Sequence, residues 1–239
     1  MISKDIIRIP SYQVDEFKCL RVASFLELAQ QIAEDNSEAL GFGYNALIAK
    51  NDVWILSRMR MRIVRMPIFK ETVSFETWHS GTFGPLFKRD YEMRTMDGEP
   101  LILSDSAWAI MDLDTRAVQR PDRFDIPAAS LGRESSLEGI AQKVRIPSDA
   151  VLEQTGERTA LYSDIDYNHH VNNAKYLVWA MDFLGPAGES AISEINVNFS
   201  HEVAPGSTVT LHRYRTADTV YIEVMNGGVQ AFVASFLIS

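Results

Sequence analysis

The order of the elements predicted along the chain occurs twice, and this repeat is the feature that most limits the possible folds. Each half of the sequence predicts one amphipathic helix followed by several short strands of the kind that pair in antiparallel sheets. A duplicated unit usually pairs its sheets so that few strand edges stay open. The repeat therefore predicts an α+β protein built from two similar units, although coincidence would give the same order, because many α+β chains place a helix before a meander.

The first half begins this pattern with a helix near Ser24. Ser24 and Glu27 have the spacing of a capping box, and Gly41 and Gly43 mark the end of the helix. Strand-like stretches follow, and Asp97-Gly98 predicts a tight turn between the last two of them. These stretches cover residues 54–64, 73–78, 87–96 and 101–111.

The second half repeats the order after residue 150. Asn172 is the predicted N-cap of a helix over residues 172–184, and Gly185-Pro186 ends that helix. Further stretches predict strands, and Asn226-Gly227 predicts a turn between the last two. These stretches cover residues 192–199, 209–214, 220–225 and 229–238.

The part between the halves has weak periodicity and contains prolines, which is typical of a linker. The predicted organisation is a unit over residues 1–120, a linker over residues 121–150, and a unit over residues 151–239.

Charge and composition exclude several classes of protein. The chain has 23 Lys and Arg against 32 Asp and Glu, a net charge of −9, whereas a nucleic-acid binder needs a basic face. No uncharged stretch reaches the roughly 20 residues of a membrane span, and the N-terminus does not resemble a signal peptide. The single cysteine, Cys19, cannot form an intramolecular disulfide. We therefore expect a cytoplasmic protein with no membrane insertion and no nucleic-acid partner.

Polar side chains are concentrated in residues 164–173, just before the second predicted helix. Asp166, Asn168 and His170 lie at alternate positions, so an extended chain would project them from one face. An acid, an amide and an imidazole are groups used for proton transfer and for holding a carbonyl oxygen. Capping and turn formation explain Asn172 well, but they do not explain the other three together.

Sequence patterns of other chemistries are absent. The chain has no Gly-x-Ser-x-Gly elbow and no glycine-rich nucleotide loop. His169 and His170 are adjacent, whereas a helical zinc site needs histidines four residues apart. We therefore predict no cofactor and no metal.

The polar stretch also carries a resemblance to a known family. Residues 164–176 read Asp-Ile-Asp-Tyr-Asn-His-His-Val-Asn-Asn-Ala-Lys-Tyr and are followed by Trp179, which resembles the motif of the acyl-[acyl-carrier-protein] thioesterases. The likeness extends to residues 55–78 and 108–116, and the chain resembles a bacterial member related to the plant enzymes. The resemblance implies a double hot-dog fold, in which each of two tandem units holds a helix against an antiparallel sheet.

The family motif assigns expected roles residue by residue. Its Asp, Asn and His fall on Asp166, Asn168 and His170, and its later glutamate falls on Glu202. The cysteine that follows this glutamate in the plant pattern is Val203 here, which excludes a thiol nucleophile at that position. The resemblance therefore implies that water attacks the thioester and that Glu202 acts as the base.

The resemblance implies hydrolysis of fatty acyl-[acyl-carrier-protein], which releases free fatty acid in fatty acid biosynthesis. An acyl-coenzyme A thioesterase, a 3-hydroxyacyl-thioester dehydratase and a non-catalytic acyl-binding module remain alternatives, and a homodimer stays open. The expected partner is an acyl carrier protein, which is acidic. This chain would therefore need a local basic patch to bind it. The candidates for that patch are Arg116, Arg120 and Arg123, or Lys88 and Arg89.

The predicted division of labour places catalysis in the second unit. The first unit has no comparable polar cluster, so we expect it to shape a tunnel for the acyl chain. Its methionine-rich strand, with Met59, Met61 and Met66, would suit an adaptable wall, although ordinary core packing explains each of these residues as well.

Overall fold

The protein consists of two compact units, Met1–Ala141 and Gln142–Ser239. The structure, a computed structural model, describes residues 1–124, 131–185 and 192–238. Within these residues, no helix is both long and apolar enough to cross a membrane.

The first unit holds one long helix against an antiparallel sheet. Its strands pair in the order β1-β3-β4-β5-β2, and the short β6 pairs with β5. The elements are β1 (Ile2–Arg8), α1 (Val22–Ala39), α2 (Tyr44–Ile48), β2 (Asp52–Ile63), β3 (Thr72–Phe83), β4 (Leu86–Thr95), β5 (Pro100–Asp112) and β6 (Val118–Gln119).

The second unit has the same topology. Its strands pair in the order β7-β9-β10-β11-β8, which matches the first unit strand for strand. The elements are β7 (Val151–Thr159), α3 (Asn173–Leu184), β8 (Ile192–Phe199), β9 (Thr208–Arg215), β10 (Thr219–Asn226) and β11 (Val229–Ile238). The predicted duplication of an α+β unit is therefore confirmed.

The helices pack on their sheets through aromatic side chains. In the first unit, the ring of Phe25 on α1 lies 5.4 Å from that of Phe75 on β3. In the second, the ring of Tyr176 on α3 stacks on Phe232 of β11 with 5.4 Å between centroids. Burial of large aromatic surface is a main source of stability in such a core.

The start of α1 differs from the prediction. The helix begins at Val22 after Arg21, and no side chain caps it. The capping box at Ser24 and Glu27 is wrong, because Ser24 lies inside the helix and is buried. Val22 and Phe25 are also buried, so packing against the sheet fixes the first turn of this helix.

The predicted ends of α3 and of the hairpins are confirmed. The side chain of Asn172 accepts a hydrogen bond from the Ala174 N–H, as an N-cap does. Gly185 follows the helix with φ of +84°, and Gly98 and Gly227 take positive φ in the two hairpin turns.

The first strand of each unit was not predicted from the sequence. Strands β1 and β7 lie at the ends of their sheets and carry several exposed charged residues. Edge strands often carry charges that prevent aggregation, and these charges hide the alternating pattern of a strand.

The boundary between the units, Ala141 to Gln142, lies inside the predicted linker over residues 121–150. Residues 131–141 belong to the first unit, and Leu137, Ile140 and Ala141 among them are buried. The prolines at positions 127 and 186 lie outside the described residues.

The prediction that Lys88 and Arg89 form a docking patch is wrong. Lys88 and Arg89 on β4 are each only 8% exposed, so they cannot form a surface patch for a carrier protein. By contrast, Arg116, Arg120 and Arg123 are exposed.

Candidate functional site

A tight loop precedes α3 and carries three of the predicted site residues. Ile165 and Val171 pair as an isolated antiparallel bridge that closes the loop. Inside it, the Asp166 N–H donates to the His170 carbonyl at 3.1 Å, and the His169 N–H donates to the Asp166 carbonyl at 3.0 Å. His169 has a positive φ of 64°. The loop is therefore a closed turn, and the predicted extended arrangement of alternate residues is wrong.

The Asp166 carboxylate is engaged by its own loop. One oxygen accepts from the Asn168 main-chain N–H at 2.9 Å, and the other accepts from the Asn172 side-chain amide at 3.2 Å. Asn172 also caps α3. Asp166 thus ties the loop to the start of the helix.

His170 lies between two carboxylates. Its Nδ1 is 3.9 Å from an oxygen of Asp166, and its Nε2 is 3.9 Å from Oε1 of Glu202. These distances are too long for hydrogen bonds, but catalytic contacts are often long before substrate binds. The side chains of His170 and Glu202 are 28% and 47% exposed, so a substrate can reach both.

Glu202 is held next to the loop by the main chain. It follows β8, and the carbonyl of the next residue, Val203, accepts a hydrogen bond from the Val171 N–H at 2.9 Å. Val203 itself is fully buried. The second half of the motif and the segment after β8 therefore meet, although they lie some thirty residues apart in the sequence.

Asn168 takes a different position from the other three. It lies at the exposed tip of the loop, and its side-chain amide has no hydrogen bond within the described ranges. The structure thus brings Asp166, His170 and Glu202 together, whereas the side chain of Asn168 is exposed.

Asp164 supports the loop. The sequence did not predict this structural role. It is buried, and its carboxylate accepts from the Leu161 N–H at 2.9 Å and from the Trp179 indole at 3.3 Å. Its carbonyl accepts from the Asn172 N–H at 2.9 Å. The sequence gives no signal that separates this aspartate from Asp166, because both lie in the same polar stretch.

The first unit contains the same loop with different side chains. Val14 and Leu20 form the closing bridge, the Asp15 N–H donates to the Cys19 carbonyl at 2.8 Å, and Lys18 has a positive φ of 66°. The Leu20 N–H donates to the Pro67 carbonyl at 2.8 Å, as the N–H of Val171 does to Val203. Pro67 therefore corresponds to Val203.

Only the aspartate is shared between the two loops. Asp15 corresponds to Asp166, whereas Phe17, Cys19 and Met66 take the positions of Asn168, His170 and Glu202. The Asp15 carboxylate accepts from the Cys19 N–H at 2.7 Å, so it too serves the loop. The loop therefore keeps its shape with different side chains at these three positions. The second unit carries the amide of Asn168, the imidazole of His170 and the carboxylate of Glu202 there, and the first unit does not.

This correspondence gives a prediction for Cys19. Cys19→Ser should leave turnover of an acyl thioester within about twofold of wild type, because the duplicate loop has no counterpart of the Asn168 amide, the His170 imidazole or the Glu202 carboxylate. The measurement is steady-state release of free thiol, with circular dichroism to verify the fold. A large loss of activity with an intact fold would show that the thiol takes part in the reaction and would contradict hydrolysis by water.

No group of three or more His, Cys, Asp or Glu side chains in the described parts of the chain is arranged to hold a metal ion.

Comparison with known proteins identifies the family. Residues 3–123 match the acyl-ACP thioesterase N-terminal domain, and residues 153–230 match the acyl-ACP thioesterase C-terminal domain. The chain is 27% identical over 185 residues to a chloroplastic palmitoyl-acyl carrier protein thioesterase of Gossypium hirsutum, covering 73% of this chain and 45% of that protein. It is 27% identical over 200 residues to oleoyl-acyl carrier protein thioesterase 2 of Arabidopsis thaliana, covering 75% and 53%. The chain thus spans about half the length of these curated relatives.

Solved structures show the same fold. An acyl-ACP thioesterase from Bacteroides thetaiotaomicron superimposes with a TM-score of 0.88 at 22% identity, covering 100% of this chain and 98% of the other. The 12:0-ACP thioesterase from Umbellularia californica gives a TM-score of 0.88 at 20% identity, covering 100% and 97%. The predicted double hot-dog fold is confirmed, and with both of its domains matched, this chain belongs to the acyl-ACP thioesterase family.

Proposed function

We propose that this protein hydrolyses the thioester of fatty acyl-[acyl-carrier-protein] and releases free fatty acid for lipid metabolism. The observation that carries the proposal is the position of Glu202, 3.9 Å from His170 on the side of the imidazole opposite Asp166. A carboxylate and an imidazole, both accessible to solvent, can move the protons that hydrolysis of a thioester requires.

Glu202 is the proposed general base. It takes a proton from water while the water oxygen attacks the carbonyl carbon of the thioester. The carbon–sulfur bond then breaks, and the leaving thiolate receives a proton from Glu202 through His170. The products are a carboxylic acid and the free thiol of the carrier. Val203 offers no nucleophile, so no acyl-enzyme can form at that position, and the proposed nucleophile is water.

Asn168 and His170 are the proposed donors to the negative charge that develops on the carbonyl oxygen. The exposed amide of Asn168 has no protein partner among the described residues, so it is available to a substrate. Both oxygens of Asp166 already accept hydrogen bonds, one from the Asn168 N–H and one from the Asn172 amide, which favours Glu202 over Asp166 as the base. Its proposed role is to position the loop.

The first unit is proposed to bind the acyl chain. A cavity of about 70 Å³ lies between α1 and its sheet, and the aromatic side chains of Trp54, Phe87 and Trp108 form much of its wall. Met59 and Met61 are buried and do not line this cavity, which favours core packing as their role. A long acyl chain would have to widen the cavity, so side-chain movement is part of the proposal.

The carrier distinguishes the main proposal from its runner-up. Hydrolysis of acyl-coenzyme A would use the same groups, because both carriers present a thioester on a pantetheine arm. The exposed Arg116, Arg120 and Arg123 are the proposed contacts for an acidic carrier protein. A cytoplasmic location and a homodimer stay predictions from the sequence.

A turnover panel tests the proposal. Free thiol should appear on mixing the protein with acyl-[acyl-carrier-protein] of several chain lengths, and kcat/KM should exceed that for the matching acyl-coenzyme A. Raising salt from roughly 0.05 to 0.5 M should lower kcat/KM more for the carrier protein, because an extended charged contact is screened. Reversing the three arginine charges should reproduce this loss and leave a short model thioester unaffected.

Each outcome of the panel has a separate meaning. Faster turnover of coenzyme A esters with equal salt dependence would favour the runner-up. Binding of acyl chains with no thiol release would identify an acyl-binding module, and loss of water from a 3-hydroxyacyl thioester would identify a dehydratase.

A further inference from the structure

Tyr176 lies beneath the candidate site and has no role in the proposed mechanism. It belongs to the second turn of α3 and is only 3% exposed. Its ring stacks on Phe232 and meets Phe199 edge to face at 6.1 Å. Since Phe199 ends the strand that leads to Glu202, the phenol lies against the segment that carries the proposed base.

The hydroxyl of Tyr176 is buried without a protein partner among the described residues. Burial raises the pKa of this hydroxyl, and the negative charges of Glu202 and Asp166 raise it further. The main chain of Val203 opposes this effect but stays outside hydrogen-bond geometry. The phenol therefore keeps its proton and offers a donor near two carboxylates. Leaving such a buried group unpaired lowers stability.

The duplicate unit shows that packing does not require this hydroxyl. Counted from the matching loops, the residue of α1 that corresponds to Tyr176 is Phe25. Phe25 is fully buried and packs its ring against Phe75 in the same helix-on-sheet arrangement. The unit without counterparts of His170 and Glu202 has a phenylalanine, and the unit that carries both residues has a buried hydroxyl at the same place.

We propose that Tyr176 is a positioning residue for Glu202, and that its hydroxyl donates to the Glu202 carboxylate when the base turns inward to activate water. This role rests on the proposed thioesterase function. The donor would hold the ionised carboxylate beside His170, in line with the proton path of the proposed mechanism.

Tyr176→Phe tests the role with the acyl thioester that the wild type hydrolyses fastest. We expect kcat to fall about 10-fold, the usual scale for one hydrogen bond to a charged group, while KM changes less than about twofold. The melting temperature should stay the same or rise, because an unpaired buried hydroxyl is removed. Tyr12→Phe, which removes an exposed hydroxyl of the first unit, is the control and should leave kcat unchanged.

A double-mutant cycle with Glu202→Gln separates positioning from a general structural effect. If Tyr176 acts through Glu202, adding Tyr176→Phe to Glu202→Gln should change kcat by less than about twofold. Equal losses in both backgrounds, a loss that accompanies a lower melting temperature, or an unchanged kcat in the single variant would each overturn the role. Failure of the proposed function would give a different result, because the wild type would then release no thiol from any acyl thioester. An active wild type with an unaffected Tyr176→Phe variant would overturn the role of Tyr176 alone.

Discussion

Glu202→Gln should lower the turnover of an acyl thioester by about 10²-fold or more, the scale expected for loss of a general base. Glutamine keeps the size of the side chain and its exposed position but cannot accept a proton from water. His170→Ala and Asn168→Ala should produce losses of similar scale, because each removes a proposed donor to the carbonyl oxygen. The measurement is kcat and kcat/KM for thiol release by the full chain.

The duplicate loop supplies a matched control for this series. Met66→Gln places a glutamine at the position that corresponds to Glu202 in the first unit, and it should leave turnover within about twofold of wild type. Combining Glu202→Gln with His170→Ala should cost much less than the product of the separate losses, because groups in one proton-transfer chain do not act independently. Near-normal rates for Glu202→Gln would exclude it as the base and would leave it a surface carboxylate at the end of a strand.

Much of the fold could be predicted from local signals in the sequence. The strand predicted over residues 54–64 and the Asn-Gly and Asp-Gly turns depend on neighbouring residues, and the structure confirms these elements. The start of α1 depends on burial of Val22 against other elements, so a local capping pattern at Ser24 pointed to the wrong residue. The edge strands β1 and β7 were missed for a similar reason. Their charged residues reflect a position at the exposed edge of the sheet, which a local sequence pattern does not reveal.

At the candidate site, too, some features could be predicted from the local sequence and others depend on residues far apart in the chain. The family motif led to Asp166, His170 and Glu202, and the structure places the two carboxylates on either side of the His170 imidazole. The spacing of the motif suggested an extended chain, but the hydrogen bonds within the loop and the positive φ of His169 close it into a turn. Tyr176 could not be recognised from the sequence, because its importance appears only when its position is compared with Phe25 in the other unit.

Lys88→Met should destabilise the first unit by about 3–5 kcal/mol, the range for removing one partner of a buried ion pair. The Lys88 ammonium is buried, and it donates to the Ser135 hydroxyl at 2.6 Å, to the Leu137 carbonyl at 3.0 Å and to the Gly139 carbonyl. It therefore fastens residues 131–141 to β4. Methionine preserves the apolar stem but leaves these acceptors without their donor.

The charge of Lys88 also matters to its neighbour on β5. Asp105 is fully buried, accepts from the Arg60 Nε at 2.7 Å, and has its other oxygen 3.8 Å from the Lys88 ammonium. Burial already raises the pKa of Asp105, and the positive charges of Arg60 and Lys88 counter that rise. Without Lys88, Arg60 would be the one of these two cations left to compensate the buried carboxylate.

Urea unfolding of Lys88→Met should be compared with that of Lys4→Met. Lys4 pairs with Glu76 at 3.1 Å in the same unit, but its side chain is 53% exposed, so its loss should cost less than about 1 kcal/mol. A Lys88 variant as stable as the Lys4 variant would show that the buried contacts do not hold residues 131–141. If that variant instead raised KM for acyl-[acyl-carrier-protein] with unchanged stability, Lys88 would be a docking residue after all. Because Lys88 is buried, we expect Lys88→Met to lower the free energy of unfolding and to leave carrier binding unchanged.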